Sequence, residues 1–374
     1  MVQKKRLLEE FNRLISYDSE SYKELDISLY LFNKLKELGL EVEIDDVGHK
    51  INDNPKATGN IYGYLKGNIK GEGIILSGHM DTVSPGINKK AIINGDLVTS
   101  AGDTVLGADD ITGVVSILEA LTIIKENNLP HPDIEVVFFV AEEPYCKGSG
   151  LFDFSKLKGK YAYVFDLTGK VGSAAISAPS IVSIKITING VSAHAGFEPE
   201  KGISAIVILS NIISRLKLGR IDEKTTVNIG TMHGGLGKNI VPNKVTCEGE
   251  IRGMSDKKIN DIISEIDTII KEEVNKYGVS YELDVEENIK AYEIGHDSFT
   301  VKRFSSVLRD LGYGEPILVN TFGGSDNNSF NKHGIEGIVV ANAMNDVHTT
   351  HELFSIEEFV KSAEIALGLI TKGE

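Results

Sequence analysis

The sequence predicts an α/β protein: a mixed-sheet domain carrying a second, inserted domain of the ferredoxin-like kind. Three observations predict it. Short apolar runs interleave with segments of helical spacing, as in an α/β sheet. The middle third changes to a strand-helix-strand-strand-helix-strand order. Four of the outer runs lead into His, Asp or Glu.

Residues 3–16 repeat Leu7, Leu8, Phe11, Leu14 and Ile15 at helical spacing, and 22–38 do so from Leu25 to Leu38. Strands are expected at Leu40–Ile44, Asn60–Leu65, Gly73–Ser77, Ile134–Ala141, Tyr161–Phe165 and Gly337–Ala341, each bounded by Gly or Asp clusters. Between them Ile111–Lys125 places Val114, Val115, Leu118, Leu121 and Ile124 on an apolar side. In the middle third, Ile181–Ile188 alternates as a strand, Gly202–Leu216 is helical, and Thr226–Met232 and Lys244–Arg252 are strands. Lys257–Tyr277 is a long amphipathic helix and Val279–Val285 a last strand. The expected domains are therefore 1–177 with 292–374, and an insertion at 178–291.

Composition narrows the function. The 374 residues carry 39 Lys and Arg against 54 Asp and Glu, a net charge of −15, with no basic block to attract nucleic acid or an anionic membrane. The longest apolar run, Val136–Ala141, is far shorter than the ~20 residues of a membrane span. The basic start meets Glu9 and Glu10 before any apolar stretch, so no signal peptide is read and a cytoplasmic location is expected. Two cysteines, Cys146 and Cys247, cannot build a thiolate metal site. Any metal must sit on imidazole and carboxylate.

Such groups gather where the outer strands end. Gly73–Ser77 leads into His79 and Asp81, Ile134–Ala141 into Glu142 and Glu143, and Tyr161–Phe165 into Asp166. His348 follows Ala341 within seven residues, and Asp109-Asp110 opens the helix at Ile111. Open α/β sheets bind ligands beyond the carboxyl ends of their strands. Taken singly, Asp109-Asp110 reads as a helix N-cap and Glu142-Glu143 as solvated surface. Taken together, they concentrate negative charge at one sheet edge, which is costly unless cations neutralise it. His, Asp and Glu donors without thiolate suit zinc, or cobalt or manganese in its place. A carboxylate shared by two ions would make a two-metal hydrolase.

The ordered segments Ser77-Gly78-His79-Met80-Asp81, Gly107-Ala108-Asp109-Asp110, Ala141-Glu142-Glu143, Ser192-Ala193-His194-Ala195-Gly196, Asn239-Ile240-Val241-Pro242, Gly323-Gly324-Ser325-Asp326 and Val347-His348-Thr349-Thr350-His351-Glu352 carry a resemblance. The chain resembles the dinuclear zinc peptidase family that includes peptidase T, glutamate carboxypeptidase, aminoacylase and the desuccinylases, and is most similar to its peptidase T-like tripeptidase branch. That resemblance implies that Asp109 bridges two zinc ions, with His79 and Asp166 completing one and Glu143 and His348 the other. It implies that Glu142 is the general base and that Asp81 orients His79 by accepting its second ring N–H. In the inserted domain it implies that His194 reaches the partner subunit's site and steadies an oxyanion, that Arg252 binds a substrate carboxylate and that Asn239 contacts substrate. The implied protein is a homodimeric aminopeptidase acting on short peptides, tripeptides above all. A deacylase of N-acyl amino acids shares the same motifs. A metal-stabilised scaffold without catalysis does not need Glu142, and a serine hydrolase lacks its Gly-x-Ser-x-Gly elbow. Cys146, three residues past Glu143, reads either as a small core residue or as an oxidation-sensitive neighbour of the site.

Overall fold

The computed structural model describes residues 1–372. Its chain divides into two compact units: Met1–Ala178 together with the chain from Tyr292 onward, and Pro179–Ala291.

The larger unit is built on a mixed sheet, nine-stranded among the described residues. Its centre is parallel: Ile74–His79 lies between Ile134–Phe139 and Tyr161–Leu167, and Glu336–Ala341 pairs with the latter. Glu41–Ile44 and Ile61–Leu65 add antiparallel strands at one side. Ser173–Ala178 pairs antiparallel with Glu336–Ala341 at the other. The central strands are buried on both faces, which is why they read as continuous apolar runs rather than alternating ones. Helices Lys4–Ile15, Leu25–Leu38, Ala108–Asn127 and Ile356–Thr371 contribute Leu7, Phe11, Leu35, Val114, Leu118, Phe359 and Leu369 to the main core. Phe11 and Phe354 meet edge to face with ring centres 4.8 Å apart.

Three features of this unit depart from the sequence expectation. His79 is the last residue of its strand, and Asp166 lies inside its own strand rather than after it. The strand Ser173–Ala178 gives no sequence signal, because a buried run of Ser and Ala neither alternates nor stands out as apolar. A separate sheet, four-stranded among the described residues, is made by Ala91–Asn94, Leu97–Ser100, Met344–Asn345 and Leu353–Ser355, most of it too short or too exposed to show a pattern.

The inserted unit orders its main strands Thr225–Gly234, Lys244–Gly253, Ser180–Asn189, Ser280–Ile289, all antiparallel. In chain order that is the second, third, first and fourth strand, the arrangement expected of a ferredoxin-like domain. A short edge strand, Gly219–Asp222, is added beside Thr225–Gly234. It was not expected, since Gly-Arg-Ile-Asp carries one apolar residue and pairs across a tight turn. Helices Ala205–Arg215 and Asp256–Asn275 cover the sheet with Ile208, Leu209, Ile212, Ile266 and Ile270, which pack against Ile184, Ile186 and Ile251. Both helices begin on a serine, Ser204 and Ser255, whose hydroxyl accepts a backbone N–H of the first turn.

Candidate metal centre

Six ligand-type side chains of the larger unit converge. The Asp109 carboxylate spans two imidazoles, with Oδ1 3.1 Å from His79 Nε2 and Oδ2 3.2 Å from His348 Nε2. His79 Nε2 is also 3.8 Å from Asp166 Oδ1, and His348 Nε2 is 2.9 Å from Glu143 Oε2. Donor atoms of His79, Glu142 and Asp166 lie within 4.8 Å of one another, as do those of His79, Asp109 and Glu143. Glu142 thus stands among the ligand-type groups and not beyond them.

Local backbone explains how these groups meet. Asp109 and Asp110 precede the regular turns of their helix with non-helical dihedrals, are joined by a cis peptide, and do not cap it. Their carboxylates take different partners. Asp110 is fully buried; its Oδ2 accepts the His79 backbone N–H at 3.1 Å and its Oδ1 accepts from the Asn342 amide. Asn342 also donates to the Phe165 carbonyl at 2.6 Å, so one amide ties the helix entry to the strand carrying Asp166. Glycine is required on both sides of this carboxylate: a Cβ at Gly78 or at Gly113 would lie 2.4 Å from an Asp110 oxygen. Glu352, buried, accepts the N–H groups of Leu106, Gly107 and Asp109 at 2.6, 2.8 and 2.8 Å and fixes the loop that presents Asp109.

Asp81 meets the His79 ring with two groups. The His79 Nδ1 faces the Asp81 main-chain carbonyl at 3.0 Å, with the carboxylate Oδ1 farther away at 3.4 Å. The carboxylate is occupied elsewhere, accepting the N–H groups of Glu142 and Glu143 at 3.0 and 3.2 Å and the Ser21 hydroxyl at 2.8 Å. A side chain only two residues from His79 in sequence therefore orients the turn that carries both glutamates, and the carbonyl of the same residue sets the imidazole. Glu24, also buried, accepts the Ala141 N–H at 3.0 Å and holds the start of that turn. Sequence reading gave no hint of Glu24 or Asn342; a buried polar group shows its partner only after the chain has folded.

His348 reaches the cluster from a backbone with φ of 61°, while His351 is exposed and its N–H donates to Thr349 Oγ1 at 3.1 Å. Hydrogen bonds to Asp109 and Glu143 push the His348 imidazole up to about 10. Burial opposes the charge of Asp109, but hydrogen bonds from His348 and His79 outweigh it and hold this carboxyl below the ordinary range. Burial, and after it the Asp166 charge, pushes the Glu142 carboxyl well above that range. Asp166 is raised in the same sense by burial.

The donor set fits divalent cations. Imidazole nitrogens and carboxylate oxygens are the zinc ligands available without thiolate, and Glu143 Oε1 is buried with no hydrogen-bond partner. An anionic oxygen in that position is costly unless a cation meets it. Beside the cluster lies a cavity of about 180 Å³. Asp109, Glu142, Glu143, Asp166 and His348 line one part of it, Leu167, Ala175, Val339, Met344 and Val347 an apolar part, and Gly323, Gly324 and Ser325 a backbone-rich edge.

The inserted unit holds the other sequence-predicted residues. His194 is exposed; its Nδ1 accepts the N–H groups of Gly196 and Phe197 at 3.1 and 3.2 Å, which leaves the proton of the neutral ring on Nε2. Asn239 is brought beside it, its carbonyl accepting the Ala195 N–H at 3.0 Å. Arg252 is engaged along its own strand, donating from Nε and Nη2 to the Glu250 carboxylate at 2.7 and 3.2 Å.

Residues 176–278 match the family described as peptidase dimerisation domain, and residues 60–186 match peptidase family M28. A curated relative, the uncharacterized protein YqjE of Bacillus subtilis, is 36% identical over 99% of both chains. The crystal structure of aminopeptidase PepT from Bacillus cereus superposes with a TM-score of 0.88 at 34% identity, covering 99% of this chain and 98% of that one. A tripeptidase structure from Staphylococcus aureus gives a TM-score of 0.92 at 33% identity, with the same coverage. With relatives this similar along its whole length, the chain belongs to the M20 peptidase family, as a PepT-like member, and is a peptidase.

Proposed function

We propose that the protein is a dinuclear metallo-aminopeptidase that removes the N-terminal residue of short peptides, tripeptides above all. One observation carries the reading: the two oxygens of Asp109 address two separate imidazoles, each with a further carboxylate at hand. Asp109 would be shared by the two ions, with His79 and Asp166 holding one and Glu143 and His348 the other. Zinc suits these donors, with cobalt or manganese as substitutes. When bound, such ions polarise a carbonyl and acidify water.

The chain's own residues do the rest. Glu142, whose carboxyl burial makes a stronger base, takes the proton of the attacking water and passes it to the leaving amine. Asp81 and Glu24 hold the turn that carries it. His194 offers Nε2–H to the developing oxyanion across the homodimer, Arg252 holds the substrate's carboxylate end and Asn239 contacts substrate. The fixed His194 tautomer and the relatives' peptide substrates support these assignments. Dimerisation through the inserted unit is supported by its family match, and a cytoplasmic site of action agrees with two buried free thiols.

The test is metal analysis joined to a peptide-length series. Two ions per chain and a preference for free tripeptides over dipeptides, longer peptides and N-acetylated substrates are expected. Cleavage of the blocked substrates alone would assign a deacylase instead.

A further inference from the structure

We infer that Cys146 is a positioning residue for Glu142, its thiol donating to the carboxylate and holding its aim. The inference rests on the reading of Glu142 as the base.

The turn that begins at Glu142 closes on Cys146, whose N–H donates to the Glu142 carbonyl at 2.6 Å. Cys146 takes a left-handed φ of 53° there, a conformation that L side chains adopt at some cost. The result is that the thiol points back at its own turn, with Sγ 3.3 Å from Glu142 Oε1. The side chain is buried, but its polar neighbours are not those of a thiol that merely fills a core. The Asp326 carboxyl, also buried, lies within hydrogen-bonding reach of the same sulfur and of the Ser149 hydroxyl. Its Oδ1 has no hydrogen-bond partner at all. A thiol set between two carboxyl groups has one proton to give. Burial and the neighbouring Glu142 charge push the thiol well above its ordinary range, so it remains protonated and is a donor. A thiol is a weak donor, yet Glu142 has few others: its carboxylate must stay aimed while its proton comes and goes.

The experiment compares Cys146→Ala, Cys146→Ser and Cys146→Val for kcat, KM, metal content and melting temperature, with Glu142→Gln in the same tripeptide assay. Loss of the donor in the Ala and Val variants is expected to lower kcat about tenfold. KM and metal content stay as in the wild type. The Ser variant, which restores a donor, recovers most of kcat. Equal kcat in the Ala and Ser variants, or an Ala variant as fast as the wild type, overturns the inference. If Glu142→Gln is inactive while Cys146→Ala is fully active, only the role of Cys146 falls. If Glu142→Gln itself turns over normally, the assignment of the base falls and takes this inference with it.

Discussion

The two units carry their candidate functional residues in opposite ways. In the larger unit His79, Asp81, Asp109 and Glu142 are buried while His348 is exposed, and the backbone that presents His79, Asp109 and Glu142 is tied to residues distant in sequence through Asp110, Glu352 and Glu24. In the inserted unit His194 and Asn239 are exposed, and Arg252, half-buried, donates to Glu250 two residues away. Buried charge must be compensated or neutralised, so the first arrangement is costly to assemble and rigid once assembled. Exposed polar groups cost little and hold little until a ligand meets them. The metal centre should therefore respond steeply to single substitutions, and the inserted unit should respond only when substrate is present.

The steepest response belongs to Asp109. Asp109→Ala removes the one carboxylate that reaches both imidazoles and should abolish metal binding and peptidase activity together, as measured by metal analysis and peptide hydrolysis. If a single ion and substantial activity remained, the shared-carboxylate picture would fail. Next comes Glu352→Ala, which leaves the N–H groups of Leu106, Gly107 and Asp109 without their acceptor. A loss of about 10- to 100-fold in metal affinity is expected from titration with a chelator. Arg252→Lys should raise KM for tripeptides about tenfold, with metal content and melting temperature unchanged, because an ammonium cannot reproduce the guanidinium fork. A fall in metal content would break the contrast between the units.

The smallest effect is one of pH. Lys89 is buried against Gly107, donates to the Tyr17 and Gly86 carbonyls at 3.0 Å each, and is pushed by burial from 10.5 down to about 8. Between about pH 8 and 10.5 the unfolded chain holds this proton and the folded chain does not, so this group makes stability rise with pH across that window. Its contribution is lost as pH falls through about 8. Relative to the wild type, Lys89→Met should lose this slope in denaturant unfolding measured across the window; an unchanged slope would mean that Lys89 ionises as it does in water.

Much of this was legible in the sequence, and the reasons are local. Apolar strands that end abruptly in His, Asp or Glu announce both the sheet and the edge where ligands gather, as Ile74–His79 and Ile134–Phe139 do. The helix Ile356–Thr371 was not among the expected elements, although Ser355 caps it ahead of Glu357 and Glu358 and its buried face includes Ile356, Phe359, Ala363 and Ile370. What stayed hidden depends on chain reversal in space. Asn342 and Asp110 are 232 residues apart, and nothing near either one names the other. The division of labour within Asp81, carbonyl to His79 and carboxylate to the turn of Glu142 and Glu143, is a matter of ångströms. A small-residue strand such as Ser173–Ala178 is defined by its neighbours alone.

The central claim is that a cluster of carboxylates and imidazoles holds the metals while Glu142 moves the proton. It is tested most directly by measuring metal content and tripeptide turnover of Glu142→Gln beside the wild type. The account predicts two ions per chain in both proteins and a kcat lowered about 10³-fold in the variant. Turnover that survives with the metals in place, or a variant that loses its metals along with its activity, would contradict it.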